Sequence, residues 1–318
     1  MRSITQRAAR WTGCIFFTFL FGMLCPPDLQ SATCSVPIDK DVDTGQITAF
    51  HEVRNGTLLI GAGNGLFRLE GDKLTPINRV ARYSHAFHAA GDGTLLIGTG
   101  NGLFRLDGDK VTPIGNDTRW IFALHELRNG TLLIGARNGL FRLDGDKLTP
   151  IDEGDSDSID VFFPATDGPL HTGSVEVFHA ARNGTLLIGA KNGLFRLDGD
   201  KLTPIGKDPR DTGSIKAFHA AGDGTLLIGT GNGLFRLDGD KVTPISKDTR
   251  WIFALHELRN GTLLIGARNG LFRLDGDKLT PIGTDPRDTG SIHLFHAAGD
   301  DTLLIGAERG LFRWTQRP

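Results

Sequence analysis

The stretch Gly93-Thr94-Leu95-Leu96-Ile97-Gly98-Thr99-Gly100-Asn101-Gly102-Leu103-Phe104-Arg105-Leu106-Asp107-Gly108 decides how this chain is read, because its pattern recurs, with a few substitutions, in seven units. Its Gly-Leu-Phe-Arg core begins at Gly65, Gly102, Gly139, Gly193, Gly233, Gly270 and Gly310, at spacings of 37, 37, 54, 40, 37 and 40 residues. The preceding Thr-Leu-Leu-Ile-Gly begins at Thr57, Thr94, Thr131, Thr185, Thr225, Thr262 and Thr302. A unit of about 40 residues is the period of a propeller blade. The expected fold is all-β: a seven-bladed β-propeller over residues 33–318.

Each unit divides into four short strands, in the first unit A (47–53), B (57–61), C (66–69) and D (73–77). Leu58, Leu59 and Ile60 are consecutive apolar residues, so strand B is expected to be covered on both faces, as a sheet between two neighbours is. Asn55-Gly56 or Asp92-Gly93 joins A to B, and Asp107-Gly108 typifies the C–D joint; such pairs predict two-residue hairpins with positive φ at both centres. Strand D carries Pro76, Pro113, Pro150, Pro204, Pro244 and Pro281 in six units. Proline cannot donate to a central ladder, which places D at the outer edge.

The seventh unit stops after strand C, at Phe312-Arg313-Trp314. Val36-Pro37-Ile38 near the other end reads like the Thr203-Pro204-Ile205 of strand D. Residues 34–39 are therefore expected to supply the outer strand of the last blade and close the ring, with Val36 and Ile38 buried at about 1.5–3 kcal/mol each.

Arg2, Arg7 and Arg10 precede an apolar run at 14–25, too short to cross a bilayer. With Pro26, Pro27 and small residues near Ala32, residues 1–32 read as a secretory signal peptide, and the mature chain as periplasmic or secreted with no membrane span. Of three cysteines only Cys34 lies beyond that segment, which leaves no internal disulfide. The net charge is -2 and charged residues make up 23%, so no basic field marks a nucleic-acid partner.

The unit at 93–108 resembles the two-component regulator propeller repeat, with Leu59, Leu96, Leu133, Leu187, Leu227, Leu264 and Leu304 where that family usually has Trp. The resemblance covers nearly all of residues 34–318. It implies a seven-bladed propeller of the kind found in the periplasmic sensor portion of hybrid histidine kinases; signalling would then need a membrane partner protein.

Repetition separates scaffold from site. His51, His88, His125, His179, His219, His256 and His296 end strand A in every unit, and Arg68 to Arg313 recur on strand C; sevenfold use marks both as scaffold. His125-Glu126-Leu127-Arg128-Asn129 lacks the second histidine of a zinc-protease helix, and Gly98-Thr99-Gly100 leads into a strand instead of a phosphate-binding helix. Asn-Gly-Thr at Asn55, Asn129, Asn183 and Asn260 reads as hairpin, not glycosylation. No nucleophile set, carboxylate pair, cofactor motif or metal cluster stands out, so the chain reads as a non-enzyme without a cofactor. Variation falls on the rim shared by the D–A and B–C loops. There Arg119, Trp120, Phe122, Arg137, Lys191, Lys216, Arg250, Trp251, Phe253 and Arg268 are the candidate ligand-binding residues. Aromatic faces with guanidinium groups suit a glycan or an anionic ligand. Residues 86–151 recur at 217–282, with only Gly115-Asn116 replaced by Ser246-Lys247, so a site around Trp120 should occur again around Trp251. An insertion at 152–170, with Asp155, Asp157, Asp160 and Val161-Phe162-Phe163, is the other candidate surface. A protein-interaction scaffold is the alternative function, a lyase-type enzyme the third.

Overall fold

The computed structural model describes residues 34–53, 56–91, 93–115, 120–153, 174–181, 184–206, 212–222, 224–282, 286–298 and 302–315. The signal segment, Arg119 and the aspartates and phenylalanines of the insertion lie outside them. No helix among the described residues is long and apolar enough to cross a membrane.

Seven four-stranded antiparallel sheets form the molecule, six with their strands in chain order from A to D and the seventh with its outer strand taken from the N-terminal side of the chain. In blade 3 these are Ile121–Glu126, Leu132–Ala136, Gly139–Asp144 and Lys147–Glu153. The A strands of neighbouring blades touch around the whole circle, blade 7 meeting blade 1. The proline-bearing D strand lies on the outside, with Phe67 facing Pro76 and Phe104 facing Pro113 in register.

The core lies between blades. Alternate side chains of one strand point to opposite faces, so Leu59 packs with Leu95 and Ile97 of blade 2, whereas Leu58 and Ile60 pack with Leu304 and Leu311 of blade 7. Seven such clusters fill the seven seams. The glycine that ends each Thr-Leu-Leu-Ile-Gly lets the next blade approach. A Cβ on Gly98 would stand 2.5 Å from Ile121 Cγ2, and one on Gly229 would stand 2.7 Å from Ile252 Cγ2.

The N-terminal strand Cys34–Pro37 pairs antiparallel with the last strand, Val36 opposite Arg313, and the Ile38 amide extends the ladder to the Leu311 carbonyl at 2.8 Å. The ring closes as expected. Of the two residues credited with burial, however, Ile38 is buried and Val36 is 53% exposed. Alternation alone would put both on one face, but the edge strand ends at Pro37, and Ile38 just beyond it turns into the cluster of Ile47, Ile60 and Leu311. Val36 stands in the register of the Thr in Thr-Pro-Ile, whose side chain faces away from the seam.

The hairpins also differ from expectation. Asp107 pairs with Lys110, so the C–D turn residues are Gly108 and Asp109. Gly108 has φ 58 and Asp109 does not turn positive, the glycine-first II′ arrangement. In the A–B loop the Leu127 amide donates to the Thr131 carbonyl and the Gly130 amide to the Leu127 carbonyl. That is a three-residue loop with Gly130 at φ 84 after a type I turn, and Asn129 Oδ1 accepts from the Thr131 amide at 3.0 Å. Each loop needs one positive φ, and glycine takes it. The insertion also starts later than expected, since Asp152 and Glu153 belong to strand D of blade 3.

Candidate functional site

Strand A begins at the face of the D–A and B–C loops and ends at the face of the hairpins. Its residue three before the repeated histidine takes five identities over the seven blades: Thr48, His85, Phe122, Glu176, Lys216, Phe253 and His293. The propeller brings all seven together, with Gln46, around a funnel of about 180 Å³ on the axis. Of the predicted site residues, Phe122, Lys216 and Phe253 line it. Trp120 and Trp251 stand one step further out, two residues earlier and just ahead of the same strands. Arg137, Lys191, Arg250 and Arg268 are exposed around the rim.

The funnel wall is uneven. Lys216 Nζ lies 3.0 Å from Glu176 Oε1, both side chains only 20% and 17% exposed, and Ser174 Oγ donates to the same oxygen at 3.0 Å. Opposite them Thr48 Oγ1 donates to the Ser84 carbonyl at 2.8 Å. Between lie two aromatic pairs: His85 with Phe122 at 5.1 Å and Phe253 with His293 at 4.6 Å between centroids. Burial, assisted by the nearby charge of His293 and Lys216, lowers the His85 pKa to about 4. Burial lowers His293 to about 4 as well, Glu308 working against it. Both rings are therefore neutral at pH 7. The His85 Nε2 is buried without a hydrogen-bond partner among the described residues. Ser291 donates from its amide and hydroxyl to Glu308, whose pKa those bonds lower.

The upper tier was missed by the sequence reading apart from its two tryptophans. It consists of the residue five before each histidine: Gln46, Tyr83, Trp120, Ser174, Ser214, Trp251 and Ser291. The signal was present, since two residues along a strand return a side chain to the same face. Tyr83 stacks on Trp120 at 5.2 Å and 30°. The two Trp sites expected to be alike are not: Trp120 is half-buried under Tyr83, and Trp251 is 38% exposed.

The opposite end of strand A holds the seven repeated histidines, and each reaches the next blade. His51 stacks on Phe87, and His125 meets Phe178, His179 Phe218, His256 Phe295 and His296 Phe50 in tilted contacts. Where the next blade has Leu124 or Leu255 in place of that Phe, the histidine instead meets a glutamate. His88 Nε2 lies 2.9 Å from Glu126 and His219 Nε2 lies 3.1 Å from Glu257. The strand-C arginines make the outer counterpart. Arg68 meets Asp109 of the next blade at 2.5 Å, Arg196 meets Asp240, and Arg313 meets Asp72 across the closure. These arginines are about a third exposed, not buried. The described residues contain no group of three or more metal-ligating side chains.

No protein-family profile matches the chain, and no curated protein does. Solved structures do. The chain is similar to an extracellular domain described as that of a hybrid two component system from B. thetaiotaomicron, with TM-score 0.71 and 20% identity, over 89% of this chain and 39% of that one. A second such domain from the same organism gives TM-score 0.67 and 16% identity over 88% of this chain and 41% of that one. The chain thus spans about two fifths of those domains. It is also similar to virginiamycin B lyase from Staphylococcus aureus, with TM-score 0.63 and 15% identity, over 91% of this chain and 100% of that one. Below 25% identity the shared property is the fold, and it agrees with the resemblance that the repeat itself carries: this chain is a seven-bladed β-propeller of four-stranded blades, with the fold of part of those extracellular domains.

Proposed function

We propose that this protein is an exported, sensor-like propeller that binds a glycan or an anionic small molecule on the face made by its D–A and B–C loops. The observation that carries the reading is the convergence of the variable register of strand A on one funnel, while the repeated histidines at the other end are engaged between blades. A scaffold built from copies of one unit needs no such variety at its axis. Binding does: aromatic rings for a planar face, Lys216 and Glu176 for polar groups, neutral His85 and His293 as donors or acceptors. The likeness to extracellular domains of two-component systems favours sensing, with a separate membrane protein as signalling partner. A cavity of about 180 Å³ is smaller than the usual 300–1,000 Å³ of a drug-sized pocket, so it suits one ring or one terminal unit of a larger ligand.

Titration of the full chain against a panel of mono- and oligosaccharides and small organic acids, followed by calorimetry, tests this. The expected result is binding that weakens at least about tenfold in Lys216→Met or Trp251→Ala. Binding untouched by both substitutions would place the ligand elsewhere and overturn the reading.

A further inference from the structure

The repeated stretch supplies an internal control. Trp120 and Trp251 sit in the same 66-residue context, and each lies beside the same B–C turn of the blade before it, Thr99-Gly100-Asn101 or Thr230-Gly231-Asn232. What differs lies just ahead of the repeat, where Tyr83 and His85 in blade 2 correspond to Ser214 and Lys216 in blade 5. Tyr83 covers Trp120, and His85 adds a second ring at 5.8 Å. Around Trp251 the described residues supply one ring, Phe253 at 6.4 Å, and the indole stays 38% exposed.

Three further observations mark the Trp251 copy. Its backbone has φ 56, in the left-handed region that a bulky residue seldom enters, whereas Trp120 does not. The hydroxyl of Ser214, at the place where the tyrosine stands in the other copy, is buried without a hydrogen-bond partner among the described residues. Arg250 and Arg268 beside it are exposed, and neither makes an ion pair among the described residues.

We infer that Trp251, Ser214 and the two flanking arginines form a binding site for a small aromatic acid, whose ring stacks on Trp251 as Tyr83 stacks on Trp120. The inference rests on the reading of this face as the ligand-binding one and names the ligand class. The chain itself shows what fits the place: a phenol ring, offset-stacked within the range that aromatic pairs prefer. A carboxylate on that ring would meet guanidinium forks that can donate to it bidentately, and Ser214 leaves open the space that the tyrosine ring fills in the other copy. A sugar ring is served less well. Its hydroxyls need acceptors, and the guanidinium groups of Arg250 and Arg268 can only donate. Trp120 offers no second site because Tyr83 occupies it.

Calorimetry on the full chain with 4-hydroxybenzoate, 4-methylphenol and glucuronate tests this. 4-Hydroxybenzoate is expected to bind at one site per chain, and at least about tenfold more tightly than either companion, which lacks the acid or the ring. Ser214→Tyr, which installs in blade 5 the ring that covers Trp120, should abolish binding. Tyr83→Ser should raise the stoichiometry from one to two. Circular dichroism checks that each variant is folded, and if Tyr83→Ser is not, Ser214→Tyr decides. Binding of 4-hydroxybenzoate that survives Ser214→Tyr overturns the site. Glucuronate binding without 4-hydroxybenzoate overturns the ligand class and leaves the ligand-binding face intact. Failure of both probes and of the wider saccharide and acid panel removes both readings.

Discussion

The two faces of the disc are built from the two ends of the same seven strands, yet they are stabilised in opposite ways. On the hairpin face every blade is tied to the next by its repeated histidine, which meets Phe or Glu, and arginine-to-Asp pairs such as Arg68 with Asp109 and Arg313 with Asp72 add outer ties at some of the seams. On the loop face the equivalent positions carry Thr, His, Phe, Glu, Lys, Phe and His, with two histidines half-buried and neutral, and one tryptophan near them exposed. One face repeats because seams are alike. The other varies because the seams no longer need it, which leaves its residues available to a ligand.

The largest effect should come from removing the frame that both faces share. A chain beginning at Gln46 lacks the strand Cys34–Pro37, the Ile38 amide bond and the burial of Ile38. Burial of one isoleucine contributes about 1.5–3 kcal/mol and each lost ladder bond about 1 kcal/mol, so the unfolding free energy in urea should fall by about 4 kcal/mol or more. An unchanged melting curve would mean that the ring does not depend on this closure.

Acid should separate the faces next. His85 and His293 have folded pKa values of about 4 against 6.5 for the free side chain. Because the folded values are depressed, the unfolded chain binds more protons between pH 6.5 and 4. Stability is full above about pH 6.5, declines as pH falls towards 4, and is level below that as far as these two groups are concerned. Each ring contributes on the order of 2–3 kcal/mol to that decline. His51, His125, His179, His256 and His296 are also lowered by burial and act in the same direction, from more exposed positions. Urea midpoints measured from pH 7 to 4 should therefore flatten more in His85→Phe/His293→Phe than in His51→Phe/His256→Phe. The reverse order would mean that the hairpin face carries the acid sensitivity.

How much of this was legible in the sequence follows from what repetition encodes. Seven copies of Thr-Leu-Leu-Ile-Gly disclosed the blade count, and Pro76 and its counterparts the outer edge, since each states a local constraint. Val36-Pro37-Ile38 disclosed the closure but not which side chain it buries, because that depends on where the strand ends, to within one residue. Asp107-Gly108 suggested the wrong hairpin for the same reason: the strand runs through the aspartate, and the turn begins at the glycine. At the site, the register of Lys216 and Phe253 was visible, whereas the inequality of Trp120 and Trp251 was not. Their own sequences are identical, and the difference comes from Tyr83 and Ser214 on the preceding blade, a neighbour in space that the repeat does not name.

The smallest effect should come from the arginine ties of the hairpin face, and its smallness is informative. Arg68 and Asp109 meet at 2.5 Å, but their side chains are 32% and 68% exposed. Pairs this open to solvent are typically worth about 0.2–1 kcal/mol, because water screens the attraction and two long side chains lose freedom. Arg68→Ala should thus lower the unfolding free energy by less than about 1 kcal/mol, and less still at 1 M salt, where the screening length shrinks to about 3 Å. Arg313→Ala removes a tie of the same kind across the closure, where Nη1 lies 3.1 Å from Asp72 and the guanidinium engages both carboxylate oxygens. A bidentate geometry should make it the costlier of the two. If both substitutions prove neutral while the Gln46 truncation unfolds the protein, the hairpin face is held by its histidine contacts and the seams beneath them. If Arg313→Ala approaches the truncation in cost, the ion pair and not the borrowed strand is what closes the ring.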